Sequence, residues 1–328
     1  MRRTGWTLIA ALLAAGGAVA VADDPAIVDL SAVCKTDAAR PLPKHEVVRI
    51  PEGERPQGDG LRNASFGIQV RFQKGGVRLG EWSVATEKTG TKWEHGVRED
   101  TVVAGWLAGA PDILVLAWGV NPHPLGTGHN FYHHCALLQM KDDVPTELLR
   151  RSGCVNMRTA HMSYGNGTSG HSFEFRREEG FLVEHFGRYM ELSGSRREPL
   201  FHWTKDPNDG KDFCAAVICE RIDRTYRYAG GRLEELSTAL FYQAQAVEIL
   251  GGVEKPRAEE PRYQAADTLR DIARFYLGPW APASAILKAN PGLEKTLLRP
   301  APSGDGTVPA GTWVRVPVPE EWLRARVR

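Results

Sequence analysis

Histidines crowd the middle of this chain: His123, His129, His133, His134, His161, His171 and His185. His129 and His133 are four residues apart, so they share one face of a helix or a strand. With His161 or His171 from the glycine-rich segment that follows, they supply three imidazole nitrogens. That is a donor set for zinc with a fourth position open to water. Zinc held in this way generates hydroxide near neutral pH and cleaves peptide or amide bonds. The H-E-x-x-H pattern is absent, and no carboxylate stands at a spacing that marks a general base. The histidines therefore read first as hydrogen-bonding groups in turns and on strands, with no cofactor required. A zinc site is the competing reading.

Other residue groups imitate sites. Gly165-Asn166-Gly167-Thr168-Ser169-Gly170 fits G-x-G-x-x-G, but His171 to Phe175 alternates like a strand. The helix N-terminus that would hold a pyrophosphate is missing. Cys135 follows His133-His134, yet neighbouring strand residues point to opposite faces, so His134 and Cys135 do not form a pair. Trp82, Trp93, Trp106, Trp118 and Trp203 could build a sugar-stacking platform; core packing is the preferred reading. Five cysteines (Cys34, Cys135, Cys154, Cys214 and Cys219) allow two disulfides with one thiol left over. If Phe213 to Ile222 is one strand, Cys214 and Cys219 lie roughly 16 Å apart on opposite faces and cannot bond. Cys135 with Cys154 is the pairing expected.

The elements that must position these residues are mostly strands. From Asp23 to Leu236, short alternating apolar runs are broken by Gly, Pro, Asn and Asp. Ser172 to Phe175, the polar turn Arg176 to Gly180 and Phe181 to Val183 read as a hairpin. Phe213 to Ile222, Thr225 to Tyr228, the turn Gly230-Gly231 and Arg232 to Leu236 read as another set. Ile113-Leu114-Val115-Leu116-Ala117-Trp118 is a buried strand. Glycine-rich segments before His129 and His171 echo each other 42 residues apart, a spacing that would suit a propeller blade. Residues 23–236 are thus a β-rich domain: an antiparallel sandwich, a barrel or a partial propeller. Residues 237–250 read as a helix, with Ala239, Leu240, Tyr242, Ala244, Ala246 and Val247 as helix material, Ser237 as cap and Gly251-Gly252 as stop. The charged, proline-bearing stretch 251–262 reads as a linker.

Arg2-Arg3, an apolar run from Leu8 to Val21 and Ala20-Val21-Ala22 before Asp23 have the order of a secretory signal peptide, residues 1–22. Export implies a periplasmic, cell-wall-associated or extracellular protein. Once the signal is removed, no membrane insertion is expected. Loss of Arg2 and Arg3 takes the formal charge from +1 to about −1. That balance gives no reason to expect nucleic acid as a partner. A chain of 328 residues is long enough for two domains with cores of their own.

The C-terminal region has a different period. Leu269, Ile272, Ala273 and Tyr276 are spaced i, i+3, i+4, i+7, and Thr268 with Asp271 has the form of a capping box. Gly278-Pro279 stops that helix. Pro282 suits the first turn of a second helix, in which Ile286 and Ala289 face inward and which ends near Asn290 because Pro291 follows. Gly311 to Pro317 then alternates like a strand.

These blocks resemble the LysM family. The resemblance rests on Tyr263, Asp267-Thr268-Leu269-Arg270-Asp271-Ile272-Ala273, Asn290-Pro291-Gly292-Leu293 and Gly311-Thr312-Trp313-Val314-Arg315-Val316-Pro317. It covers residues 263–319, with 320–328 as a tail. Ala266 stands where the family usually has glycine, and residues 301–310 are an insertion. The resemblance implies a βααβ fold that binds N-acetylglucosamine polymers such as peptidoglycan. It places the binding surface on two loops: Asp267, Thr268 and Leu269, and Asn290, Pro291, Gly292 and Leu293.

The fold class expected is therefore α+β, a β-rich domain followed by a small βααβ domain. The function expected is that of an exported, non-enzymatic protein held to peptidoglycan by its C-terminal module. Two alternatives stand beside it. One is a metal-dependent cell-wall hydrolase using the histidine-rich region. The other is an envelope assembly factor whose module docks a protein.

Overall fold

The computed structural model describes residues 28–56, 62–86, 92–121, 131–156, 167–193, 201–205, 212–244, 267–298, 306–319 and 321–323. The signal segment 1–22, the stretch 251–262 and Tyr263 lie outside the described residues, as does the first copy of the glycine-histidine echo.

Residues 113–118 set the architecture. All six are at most 1% exposed, and a continuous apolar run of this kind needs cover on both faces. It belongs to β6 (Ile113–Asn121) of an eight-stranded antiparallel sheet. The other strands are β1 (His45–Pro56), β2 (Arg62–Phe72), β3 (Gly75–Thr86), β4 (Lys92–Val97), β5 (Val103–Trp106), β7 (Phe131–Lys141) and β8 (Val144–Asn156). Their order is β1-β2-β3-β4-β6-β7-β8, with β5 alongside β6.

One face of β6 is covered by its own sheet. Leu114, Leu116 and Trp118 pack with Ile68, Leu79, Trp82 and Leu138. Curling brings β8 back towards β3: the Arg150 guanidinium donates to Leu79 O at 3.1 Å and Arg78 O at 2.7 Å. The opposite face carries Ile113, Val115 and Ala117, which meet Phe173, Leu182 and Tyr226 of a second sheet.

The second sheet holds β9 (Gly167–Arg176), β10 (Phe181–Ser193), β11 (Phe201–Lys205), β12 (Asp212–Ala229), β13 (Arg232–Gln243) and β14 (Trp313–Val316). It is antiparallel in the order β14-β13-β12-β10-β9, with β11 beside β12. The β9–β10 hairpin falls where the alternation puts it. The β12–β13 turn uses Gly230 and Gly231 at φ +58° and +74°, a conformation that favours glycine. A short strap joins the sheets. After the single turn α1 (Leu30–Val33), Cys34 pairs with Phe173 of the second sheet and Thr36 with Leu107 beside the first.

Residues 237–243 are strand, which corrects the helix expected over 237–250. Leu240, Tyr242 and Ala244 are at most 1% exposed while Phe241 and Gln243 are half-buried, a period of two. β13 is laddered to β12 on one side, and Leu240 to Gln243 pair with Val316 to Trp313 on the other. Two-sided pairing outweighs helix propensity, which is a weak preference.

Candidate functional site

The C-terminal unit is built from α2 (Leu269–Leu277), α3 (Ala283–Ala289) and β14, with β13 as its other strand. Thr268 caps α2: its Oγ1 accepts from Asp271 N at 3.1 Å and donates to Asp271 Oδ2 at 2.7 Å. Leu269, Ile272, Ala273 and Tyr276 are buried, as the spacing requires. Pro282 is the cap residue just before α3. The core beneath both helices includes Ile222, Leu240 and Tyr242 of the second sheet together with Val314 and Val316. Two buried tyrosines tie it down. Tyr242 donates to Asp267 Oδ2 at 2.6 Å, and Tyr276 donates to Glu220 Oε1 at 2.8 Å. Burial, reinforced by Asp267, drives the Tyr242 hydroxyl well above its ordinary pKa.

Of the seven residues assigned to glycan binding, three are buried and two are half-buried. Asp267, Leu269 and Leu293 are 3%, 0% and 7% exposed. Asn290 works as a clamp. Its Nδ2 donates to Ile286 O and Arg315 O, and its Oδ1 accepts from Arg315 N, each at 2.7 Å. Part of the 301–310 insertion covers the first loop: Leu269 N donates to Gly306 O at 3.0 Å and Val308 N to Asp267 O at 2.9 Å. Leu298 N also donates to Thr307 O at 3.0 Å, so residues 306–308 join the first loop to the segment that follows α3. Pro291 and Gly292 remain exposed, Gly292 with φ +89°. Asn290→Ala should therefore act on stability. Losing the two-way link to β14 is expected to cost about 2–3 kcal/mol in urea denaturation.

The histidines do not assemble into a metal centre among the described residues. No group of three His, Cys, Asp or Glu side chains there could hold an ion. His129 and His161 lie outside those residues. His133 stands between Gly119 and Gly153 on β7, and burial lowers its pKa, which favours the neutral ring. His171 stacks on Phe186 with centroids 4.5 Å apart and places Nδ1 2.8 Å from Glu184 Oε1.

Glu184 is the hub of a buried polar network. It is 1% exposed, on the face of β10 between Leu182 and Phe186. Arg151 of the first sheet donates Nε to Oε1 at 2.6 Å and Nη2 to Oε2 at 3.1 Å. The Tyr226 hydroxyl donates to Oε2 at 2.7 Å, and Arg224 lies 3.7 Å away. Burial pushes the carboxyl up, but the bonds from His171 and Arg151 and the charge of Arg151 outweigh it and hold the pKa at about 2. Same-face neighbours place the network between two apolar areas: Leu182 and Tyr226 pack on the first sheet, Ile222 and Phe186 under the helices. The Arg151–Glu184 pair ties the first sheet to the second.

A second group has a superficial likeness to a hydrolase triad. Ser172, His185 and Asp223 are direct cross-strand neighbours on β9, β10 and β12. His185 Nδ1 lies 2.7 Å from Asp223 Oδ1. Ser172 makes no side-chain hydrogen bond among the described residues, so the nucleophile–base contact of such a triad is not made.

The cysteines need a correction. Cys135 is a free thiol, as are Cys34 and Cys219. Cys135 sits opposite Arg151, whereas Cys154 sits opposite Tyr132. Three residues of strand is about 10 Å, beyond disulfide reach. Burial pushes the Cys34 and Cys135 thiols up to about 12, so both stay protonated and unreactive. Trp82, Trp106 and Trp118 are core residues.

Sequence reading missed Trp280, which is 93% exposed in the turn between α2 and α3. Its flanking prolines and glycine marked a turn but not a projecting indole. Comparison with family models, with curated proteins and with solved structures finds no match to this chain.

Proposed function

We propose that this is an exported, non-catalytic protein that associates with the cell wall by binding N-acetylglucosamine-containing glycan, chiefly peptidoglycan. The binding part is the unit β13–α2–α3–β14. What supports the reading is the strand–helix–helix–strand order, with residues 306–308 drawing the loop before α2 and the segment after α3 together at one end. The turn Pro291-Gly292 is exposed and offers backbone groups to acetamido and hydroxyl groups. Such a shallow site holds one sugar segment weakly, and residence on the wall depends on avidity. The order of residues 1–22 supports export. No helix among the described residues is long and apolar enough to cross a membrane.

A second reading is docking of an envelope protein. It is favoured by the internal use of Asp267 O and Leu269 N, two backbone groups that a glycan would otherwise meet.

Co-sedimentation with insoluble peptidoglycan separates the two. Pro291→Glu changes an exposed residue and leaves the Thr268 cap and the Asn290 clamp intact. The parent should pellet and the variant should stay in solution. Pelleting of both would assign wall binding to another surface, and pelleting of neither would favour protein docking.

A further inference from the structure

A groove of about 510 Å³ runs beside the C-terminal unit, lined by Thr238, Ala239, Lys288, Ala289, Arg315 and Val316, among others. Its origin is a strand edge that β14 leaves uncovered. The β13–β14 ladder stops at Leu240 and Val316. Pro317 and Pro319 follow, and proline has no N–H to continue a ladder. Val318 N instead turns back to Val316 O at 2.9 Å, which takes the chain off the sheet. The edge of β13 before Leu240 thus presents backbone donors and acceptors with no described strand against them.

The walls of the groove are cationic. Lys288 and Arg315 are exposed, and among the described residues neither has a carboxylate within ion-pair distance. The rest of the lining is mostly apolar, Ala239, Leu240, Ala285, Val316, Val318 and Leu323 among it. An edge with no described strand against it, an apolar lining and two cations without a described carboxylate partner are complementary to one kind of occupant.

We propose that this groove binds an extended, acidic peptide segment of a partner protein, which adds as a strand to β13. Main-chain hydrogen bonds to the edge supply affinity, and carboxylates beside Lys288 and Arg315 supply selectivity. The proposal goes beyond glycan binding and does not depend on it, since it concerns the strand edge and not the Pro291-Gly292 turn.

The test is fluorescence anisotropy with the full chain and a labelled eight-residue peptide alternating Val and Glu. A peptide alternating Val and Lys, and a Val/Glu peptide N-methylated at alternate nitrogens, are the controls. The Val/Glu peptide should bind, and binding should weaken roughly tenfold or more for either control and for a Lys288→Glu/Arg315→Glu chain. Circular dichroism establishes that the doubly substituted chain is folded. Absence of binding by the Val/Glu peptide overturns the proposal, as does binding that ignores N-methylation. Concentration-dependent dimerisation abolished by the same double substitution would give the groove to a second copy and overturn it too. So would loss of peptidoglycan pelleting in that variant without peptide binding by the parent.

Discussion

Glu184→Ala should lower the free energy of unfolding by about 3–5 kcal/mol, the cost of removing one member of a buried ion pair and leaving the other uncompensated. The partner left behind is Arg151, which has both its Nε and Nη2 on the Glu184 carboxylate. His171 and the Tyr226 hydroxyl lose an acceptor in the same step. The pH dependence has a definite sign. The folded carboxyl titrates at about 2, below its ordinary 4.5. Its contribution is therefore fully present above pH 4.5 and is lost as pH falls from there towards 2. Urea denaturation of the parent should show stability dropping across that window, and the drop should be smaller in Glu184→Ala. An unchanged slope would mean that Glu184 is not the group being protonated.

Trp118→Ala should cost a similar amount, about 3–5 kcal/mol, by opening a cavity where the curled sheet closes on itself. Trp118 is fully buried, stacked on His134 with ring centroids 5.7 Å apart and approached by the Arg150 guanidinium at 5.4 Å. Trp118→Phe is the sharper comparison. The indole N–H has no hydrogen-bond partner among the described residues, so replacing it leaves no acceptor stranded. Thermal unfolding should find Trp118→Phe much closer to the parent than to Trp118→Ala. Equal losses in the two variants would show that the N–H carries weight that the packing does not explain.

Local features of this fold were legible in the sequence where one segment determined them. Thr268 with Asp271 marked the start of α2, the spacing of Leu269 to Tyr276 marked its buried face, and Ile113 to Trp118 marked a strand covered on both sides. Features that needed distant partners were not. Ala239, Leu240, Tyr242 and Ala244 are acceptable helix residues, and what makes them strand is pairing with Trp313 to Val316, some seventy positions later. The Glu184 network draws on β8, β9, β10 and β12, so no window of sequence contains it. At the candidate site the same limit operates. Asp267 to Leu269 and Asn290 to Leu293 were identifiable as loops, but the Asp267 and Asn290 side chains are used by Tyr242 and Arg315, and the Asp267 and Leu269 backbone by Val308 and Gly306.

These long-range pairings carry the central claim: the helical hairpin is completed by β13 and shares its core with the second sheet. In residues 263–328 alone, Val314 and Val316 lose Tyr242 and Leu240 as cross-strand neighbours, and Tyr276 loses Glu220. The most direct measurement is the amide NMR spectrum and thermal melt of that fragment beside the full-length chain. Collapsed amide dispersion and no cooperative melt in the fragment are the results predicted. A well-dispersed spectrum with a cooperative transition would contradict the claim and make residues 263–328 a module that folds by itself.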